Sequence, residues 1–168
     1  GQNITIKDKK AKILTLLSTQ SANLLSKDQW RLLEEKDLEE NYVSLTTVVG
    51  NLPNSDGLIR EINDWSPRSY YILSFEYLTH GKSFKMIIYD KSLQKDSNFR
   101  KVLDEDLRSS EWKPYETIFK SSNDAYLASL QILKSKGGLI DEIATNAKNS
   151  KIEIKNLDIA TATVSAEF

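Results

Sequence analysis

The chain has 168 residues, of which 39% are apolar and 28% are charged, and its formal net charge is −1. These values are ordinary for a globular protein and predict one domain spanning residues 1–168. Because the charges nearly cancel, we expect no nucleic acid among its partners. Cysteine is absent, which excludes disulfides, thiolate nucleophiles and Cys-ligated zinc.

The first forty residues predict two helices. Apolar residues recur at helical spacing over residues 7–25. Ser26 and Gln29 then form a Ser-x-x-Gln capping box, and Asp28 adds a carboxylate where the helix dipole favours one. The second helix therefore begins after Ser26 and continues over residues 27–40.

The middle of the chain predicts a hairpin as its clearest element. A strand rich in β-branched residues covers Tyr42–Val49, and a short helix covers Leu58–Trp65. Apolar residues then alternate with period 2 over Tyr70–Leu78 and again over Ser83–Asp90, with Gly81 between them. Two alternating runs on either side of a glycine-containing turn are typical of a β-hairpin.

The last third of the chain predicts helices followed by a long strand. A Gly-Gly pair at positions 137 and 138 is a typical helix stop. The predicted elements are a helix over Ser97–Leu107, a short strand over Tyr115–Phe119, helices over residues 122–133 and Leu139–Ala147, and a strand over Lys151–Phe168.

Together these elements predict an α+β fold. We expect an antiparallel sheet of about four to six strands with helices packed mainly on one face. Two N-terminal helices precede this sheet, and the C-terminal strand returns to it. Strand and helix do not alternate regularly, which disfavours a doubly wound parallel sheet.

The chain also contains hints about its location. No apolar stretch approaches the ~20 residues that a membrane-spanning helix requires, so we expect no transmembrane segment. The sequence starts with Gly1 instead of Met, which is consistent with removal of a signal peptide or with an excised domain. We therefore favour an exported protein, periplasmic or extracellular.

Residues with catalytic potential are sparse in this sequence. His80 is the single histidine, and at the tip of a hairpin an exposed turn residue is a simpler interpretation than a general base or metal ligand. The acidic run at positions 104–106 lies on a predicted helix, where adjacent carboxylates point in different directions. Glu153 and Lys155 form the acidic-x-Lys pattern of some nucleases, but ordinary alternating strands contain it too. We therefore predict no catalytic residue, metal site or cofactor.

Aromatic side chains near predicted loops and on the hairpin point to a partner. Lysines interleaved with aromatic residues over positions 82–101 could bind nucleic acid, but acidic segments elsewhere cancel that charge. A surface of mixed charge suits a protein partner better. Aromatic residues can anchor such interfaces, although residues of this kind pack in the core more often. The candidate partner-binding residues are Trp65, Tyr70, Tyr89, Trp112 and Tyr115.

Three functions are compatible with this sequence. We favour a non-catalytic protein-binding or structural module, which predicts an exposed apolar patch. A carboxylate-based hydrolase or nuclease, possibly metal-dependent, would need acidic side chains that converge in a cleft. A small-molecule carrier would need an apolar cavity between the sheet and its helices.

Overall fold

The structure of the chain is a computed structural model, and it describes residues 3–5, 13–19, 24–25, 30–32, 37–39, 42–48, 57–134 and 149–167. Within these ranges the regular structure consists of twelve β-strands. The strands are β1 (Asn3–Thr5), β2 (Ile13–Thr19), β3 (Arg31–Leu32), β4 (Asp37–Glu39), β5 (Tyr42–Val48), β6 (Gly57–Glu61), β7 (Tyr70–Leu78), β8 (Phe84–Lys91), β9 (Arg100–Leu107), β10 (Lys113–Lys120), β11 (Leu127–Lys134) and β12 (Asn149–Glu167).

The strands form two antiparallel sheets. Sheet 1 is built around the long strand β12, which pairs with β7 along one side and with β5 and then β2 along the other. Strands β10, β4 and β1 extend this sheet outward from β7, β5 and β2, respectively. Sheet 2 has five strands in the order β3-β6-β11-β8-β9.

The core lies between the two sheets. Alternate side chains of β7, including Leu73 and Phe75, point inward from sheet 1, and Phe84 and Met86 of β8 point inward from sheet 2. Fully burying an apolar side chain of this size contributes about 1.5–3 kcal/mol. The molecule is therefore an all-β sandwich, in which the inner faces of both sheets make one shared core.

The α+β prediction is wrong, because every predicted helix that falls on described residues contains a strand instead. Strands β2, β3, β4, β6, β9 and β11 occupy these segments, and the acidic residues at positions 104–106 lie within β9. The predicted helix over residues 139–147 and the glycine pair at 137–138 lie outside the described residues.

Strand β11 shows the physical reason for this error. Leu127, Leu130 and Leu133 recur every three residues, which suggested a helix. The buried apolar residues of the strand are Ala128, Leu130 and Ile132, and these recur every two residues. Short apolar runs fit both periods, so pairing with neighbouring strands decides the outcome.

The predicted hairpin is correct in its strands and wrong in its pairing. The strands observed as β7 and β8 are those expected, but β7 pairs with β10 and β12, whereas β8 pairs with β9 and β11. His80 and Gly81 have φ angles of 48° and 86° and lie where the chain crosses from one sheet to the other. The strands predicted near positions 42–49, 115–119 and 151–168 are confirmed by β5, β10 and β12.

Candidate functional site

The outer face of sheet 2 carries polar and aromatic side chains because its central strands alternate. In β11 the even-numbered residues Leu130 and Ile132 are buried in the core, so Ser129 and Gln131 lie on the opposite face. Ser129 pairs with Tyr89 of β8 and also with Glu61 of β6. This pairing places side chains from three strands next to one another.

These side chains line a pocket of about 330 Å³, which we call the sheet 2 pocket. It reaches from Arg31 on the edge strand β3 to Phe99, which directly precedes the opposite edge strand β9. Since neighbouring strands lie about 4.8 Å apart, five strands span roughly 19 Å. The pocket therefore crosses the sheet approximately perpendicular to its strands. Its lining includes Arg31, Ile59, Glu61, Tyr89, Phe99, Leu127, Ser129 and Gln131.

The rim of the pocket near β9 exposes apolar surface. Phe99 is 51% exposed and Leu127 is 40% exposed. The Lys91 ammonium lies 5.0 Å from the centroid of the Phe99 ring, within the range of a cation–π contact. Arg100, next to Phe99, pairs with Asp124, and the hydrogen bond from Arg100 lowers the pKa of the Asp124 carboxyl. The cation–π contact therefore places Lys91 against the Phe99 ring at the rim of the pocket.

The chemistry of the sheet 2 pocket suits a ligand that is apolar on one side and rich in hydroxyl groups. The rings of Tyr89 and Phe99 offer flat apolar surfaces. The Gln131 amide can donate and accept hydrogen bonds, as can the Ser129 hydroxyl, while the Glu61 carboxylate accepts them. A few polar groups among apolar ones fix the orientation of a ligand in this way.

The aromatic residues selected from the sequence do not form one site. Tyr89 lines the sheet 2 pocket. Tyr70 and Trp112 are partly exposed and lie with sheet 1, at opposite ends of its outer face. Trp65 and Tyr115 pack against the core.

Trp65 has a structural environment. It is only 5% exposed, stacks on Tyr71 with ring centroids 4.1 Å apart, and donates its indole N–H to Asp90 at 3.2 Å. Tyr115 stacks on Phe75 at 4.8 Å, and burial raises the pKa of its hydroxyl. Both rings therefore contribute mainly to packing.

The outer face of sheet 1 holds a polar cluster around Trp112. The Lys155 ammonium lies 4.1 Å from the centroid of the Trp112 ring, and Trp112 is 38% exposed. Asn156 donates a hydrogen bond to Glu76 at 2.6 Å. His80 Nε2 lies 2.6 Å from an oxygen of Glu153, so the single histidine contacts the acidic residue of the Glu-x-Lys pattern.

The pocket residues that the sequence analysis missed are Arg31, Glu61, Phe99, Ser129 and Gln131. All five lie in segments that the sequence predicted to be helices. The alternation of Ser129 and Gln131 with buried apolar residues was the signal that could have found two of them. No group of three or more His, Asp or Glu side chains in the described ranges is arranged to hold a metal ion, and no helix there is long and apolar enough to cross a membrane.

Comparison with known proteins identifies the fold. No protein-family model and no curated protein sequence matches the chain. The N-terminal cellulose-binding domain of β-1,4-glucanase C from Cellulomonas fimi is similar with a TM-score of 0.53 and 11% identity, over 86% of this chain and 93% of that one. A CBM4 structure is similar with a TM-score of 0.52 and 8% identity, over 79% of this chain and 77% of that one.

A third similar structure comes from a much longer protein. The enzymatically active domain of tailspike protein 4 from bacteriophage CBA120 has a TM-score of 0.52 and 13% identity, over 83% of this chain but 21% of that one. At such identities the similarity concerns the fold. The chain has the β-sandwich fold found in carbohydrate-binding modules.

Proposed function

We propose that this chain is a non-catalytic carbohydrate-binding module and that the sheet 2 pocket holds its saccharide ligand. The observation that carries this proposal is the combination of Tyr89, Phe99 and Gln131 on one open sheet face. A sugar ring has an apolar C–H face and a rim of hydroxyl groups. Aromatic rings can cover the apolar face while amide and carboxylate groups bind the hydroxyls.

The fold supports this proposal. The similar domain from Cellulomonas fimi binds cellulose, and this chain shares its sandwich architecture. Fold similarity alone does not establish a ligand, but here the pocket chemistry points to the same class. The sequence predicted a binding module with a protein partner, whereas the chemistry of the sheet 2 pocket favours a saccharide partner.

The shape of the site is also consistent with a chain-like ligand. The pocket crosses the full width of sheet 2, from β3 to the start of β9. Polysaccharides such as cellulose are found outside cells and in cell walls, so a polysaccharide ligand agrees with the export expected from the sequence.

A direct test is binding of soluble oligosaccharides. We would screen the purified protein on a glycan array and then measure affinity for cellohexaose, and for any other oligosaccharide that scores, by isothermal titration calorimetry. Tyr89→Ala removes a ring of the pocket, and Gln131→Leu removes the amide while keeping a similar volume. We expect each change to weaken binding by about tenfold or more, equivalent to about 1.4 kcal/mol.

Trp112→Ala is the matched control, because Trp112 is an exposed aromatic residue of the opposite sheet. It should leave the affinity unchanged. Near-ultraviolet circular dichroism would show that each variant retains the wild-type fold. The proposal fails if no oligosaccharide on the array binds, or if Tyr89→Ala and Gln131→Leu bind as tightly as the wild type.

A further inference from the structure

A second pocket lies at one end of sheet 1 and shares no lining residue with the sheet 2 pocket. It has a volume of about 400 Å³ and lies between residues 66–71, which lead into β7, and residues 161–164 of β12. We call it the Arg68 pocket. Its polar lining comprises Ser66, Arg68, Ser69, Tyr70, Thr161 and Thr163.

The segment that forms one wall of this pocket is held by hydrogen bonds. The Arg68 backbone N–H donates to the carbonyl of Ser122 at 3.1 Å, and the Ser121 N–H donates to the carbonyl of Ser69 at 2.9 Å. The Ser121 hydroxyl also donates to the carbonyl of Ser66 at 2.6 Å. The backbone of Arg68 adopts a left-handed conformation, with φ of 50°, which is uncommon for residues other than Gly, Asn and Asp. The wall is therefore organised before any ligand arrives.

The charge of the Arg68 pocket has one sign. Arg68 lines it, and the ammonium of Lys120 lies 5.5 Å from the centroid of the Tyr70 ring. No Asp or Glu is present among the described residues that line it. One lining cation, a second cation beside the lining residue Tyr70 and no lining carboxylate among the described residues favour an anionic group in the pocket.

The remaining groups favour a polyhydroxylated scaffold for that anion. Thr161 Oγ1 is buried and has no hydrogen-bond partner among the described residues. That oxygen is inaccessible, and Thr161 pairs with Tyr71 on the core face of the sheet, so the lining hydroxyls that a ligand can reach are those of Ser66, Ser69 and Thr163. Tyr70 packs beside an apolar cluster formed by Ile72, Ile118 and Ala160 on the outer face of sheet 1, so an apolar surface adjoins the Tyr70 side of the pocket.

We propose that the Arg68 pocket is a second ligand site that binds an acidic saccharide through its carboxylate or sulfate group. Arg68 would hold the anion, and the serine and threonine hydroxyls would bind the sugar hydroxyls. Tyr70 would contact the C–H face of the ring. This proposal does not depend on the sheet 2 pocket, since the two sites share no residue.

The test is an NMR titration of isotope-labelled protein with three trisaccharides: trigalacturonic acid, which carries carboxylates, a sulfated galactan trisaccharide, and neutral maltotriose. We expect at least one acidic trisaccharide to shift the backbone resonances of residues 66–71 and 161–164, and maltotriose to leave them unchanged. Raising the salt concentration from about 0.1 M to about 1 M should weaken binding of the acidic trisaccharide, because the Debye length falls from about 10 Å to about 3 Å.

Arg68→Asn is the informative variant, because asparagine tolerates the left-handed conformation and keeps the backbone N–H that donates to Ser122. We expect this change to lower the affinity for the acidic trisaccharide by about tenfold. Thr163→Val should lower this affinity less, and Tyr89→Ala should leave it unchanged. Comparing the affinities for trigalacturonic acid and for the sulfated galactan trisaccharide shows whether the pocket prefers a carboxylate or a sulfate.

The proposal is overturned if neither acidic ligand shifts these resonances, or if Arg68→Asn binds as tightly as the wild type. It is also overturned if maltotriose shifts the same resonances equally, because charge would then play no part. Loss of acidic binding in Tyr89→Ala would assign that binding to the sheet 2 pocket. Failure of cellohexaose to bind would leave the Arg68 pocket unaffected.

Discussion

Ser122 donates two hydrogen bonds to the carboxylate of Asp90, from its backbone N–H at 2.8 Å and from its hydroxyl at 2.6 Å. The indole N–H of Trp65 donates a third at 3.2 Å. Asp90 is fully buried and belongs to β8 of sheet 2, whereas Ser122 follows β10 of sheet 1. One carboxylate therefore joins the two sheets at this end of the sandwich.

Removal of that carboxylate should be strongly destabilising. In Asp90→Ala three donors lose their acceptor, and each buried unsatisfied donor costs about 1–3 kcal/mol. We expect Asp90→Ala to lower the free energy of unfolding by about 3 kcal/mol or more in urea denaturation. Ser122→Ala removes one of the three bonds and should cost about 1 kcal/mol. Equal losses in the two variants would contradict this role for the carboxylate.

Trp65 and Trp112 should respond differently to truncation. Trp65 is buried and stacked on Tyr71, so Trp65→Ala should lose about 3–5 kcal/mol of stability. Trp112 is exposed and contacts the Lys155 ammonium, a contact that contributes about 0.5–1 kcal/mol at exposed sites. Thermal denaturation of both variants checks this difference. A large loss in Trp112→Ala would mean that its ring has a packing role.

Asp158 should make stability decrease as the pH rises. Burial raises the pKa of its carboxyl in the folded protein, while the unfolded chain keeps a value of about 3.9. Between these two values the folded state binds more protons, so the free energy of unfolding falls as the pH rises through that window. The penalty is complete once the pH exceeds the folded-state pKa.

Asp158→Asn should therefore raise the melting temperature at about pH 7 and change it little at about pH 3, where the carboxyl is protonated in both states. Asp96→Asn, at an exposed position, is the control and should have little effect at either pH. An equal gain for Asp158→Asn at both pH values would show that charge is not the cause.

Gly57 is required because of a close approach to β11. A Cβ atom at this position would lie 2.6 Å from Leu133 Cδ2 and 2.8 Å from the carbonyl oxygen of Ile132. The leucine methyl can move, but the carbonyl belongs to the strand pairing. Gly57→Ala should thus cost about 1–3 kcal/mol.

A double-mutant cycle with Leu133→Ala would separate the two contacts of Gly57. If the carbonyl of Ile132 is the main obstacle, Gly57→Ala should remain destabilising in the Leu133→Ala background. Complete relief in that background would assign the strain to the leucine side chain.

Several features of the molecule follow from the sequence by itself. The period-2 alternation over residues 70–78, 83–90 and 151–168 predicted three strands that the structure confirms as β7, β8 and β12. These runs combine aromatic and β-branched residues with regular alternation, so their local preference agrees with their tertiary role. The aromatic residues over positions 70–90 also made Tyr89 a candidate binding residue. Tyr89 lines the sheet 2 pocket.

Tertiary structure decided the rest. Residues of β9 and β11 fit a helical period as well as an alternating one, and their pairing with neighbouring strands, β8 for both and also β6 for β11, made them strands. Pairing also brought Glu61 beside Ser129, although they are far apart in the sequence. Alternation determines which residues of one strand share a face, but it carries no information on which strands lie side by side. Because a pocket on a sheet is assembled across strands, its composition depends on long-range pairing that no local pattern encodes.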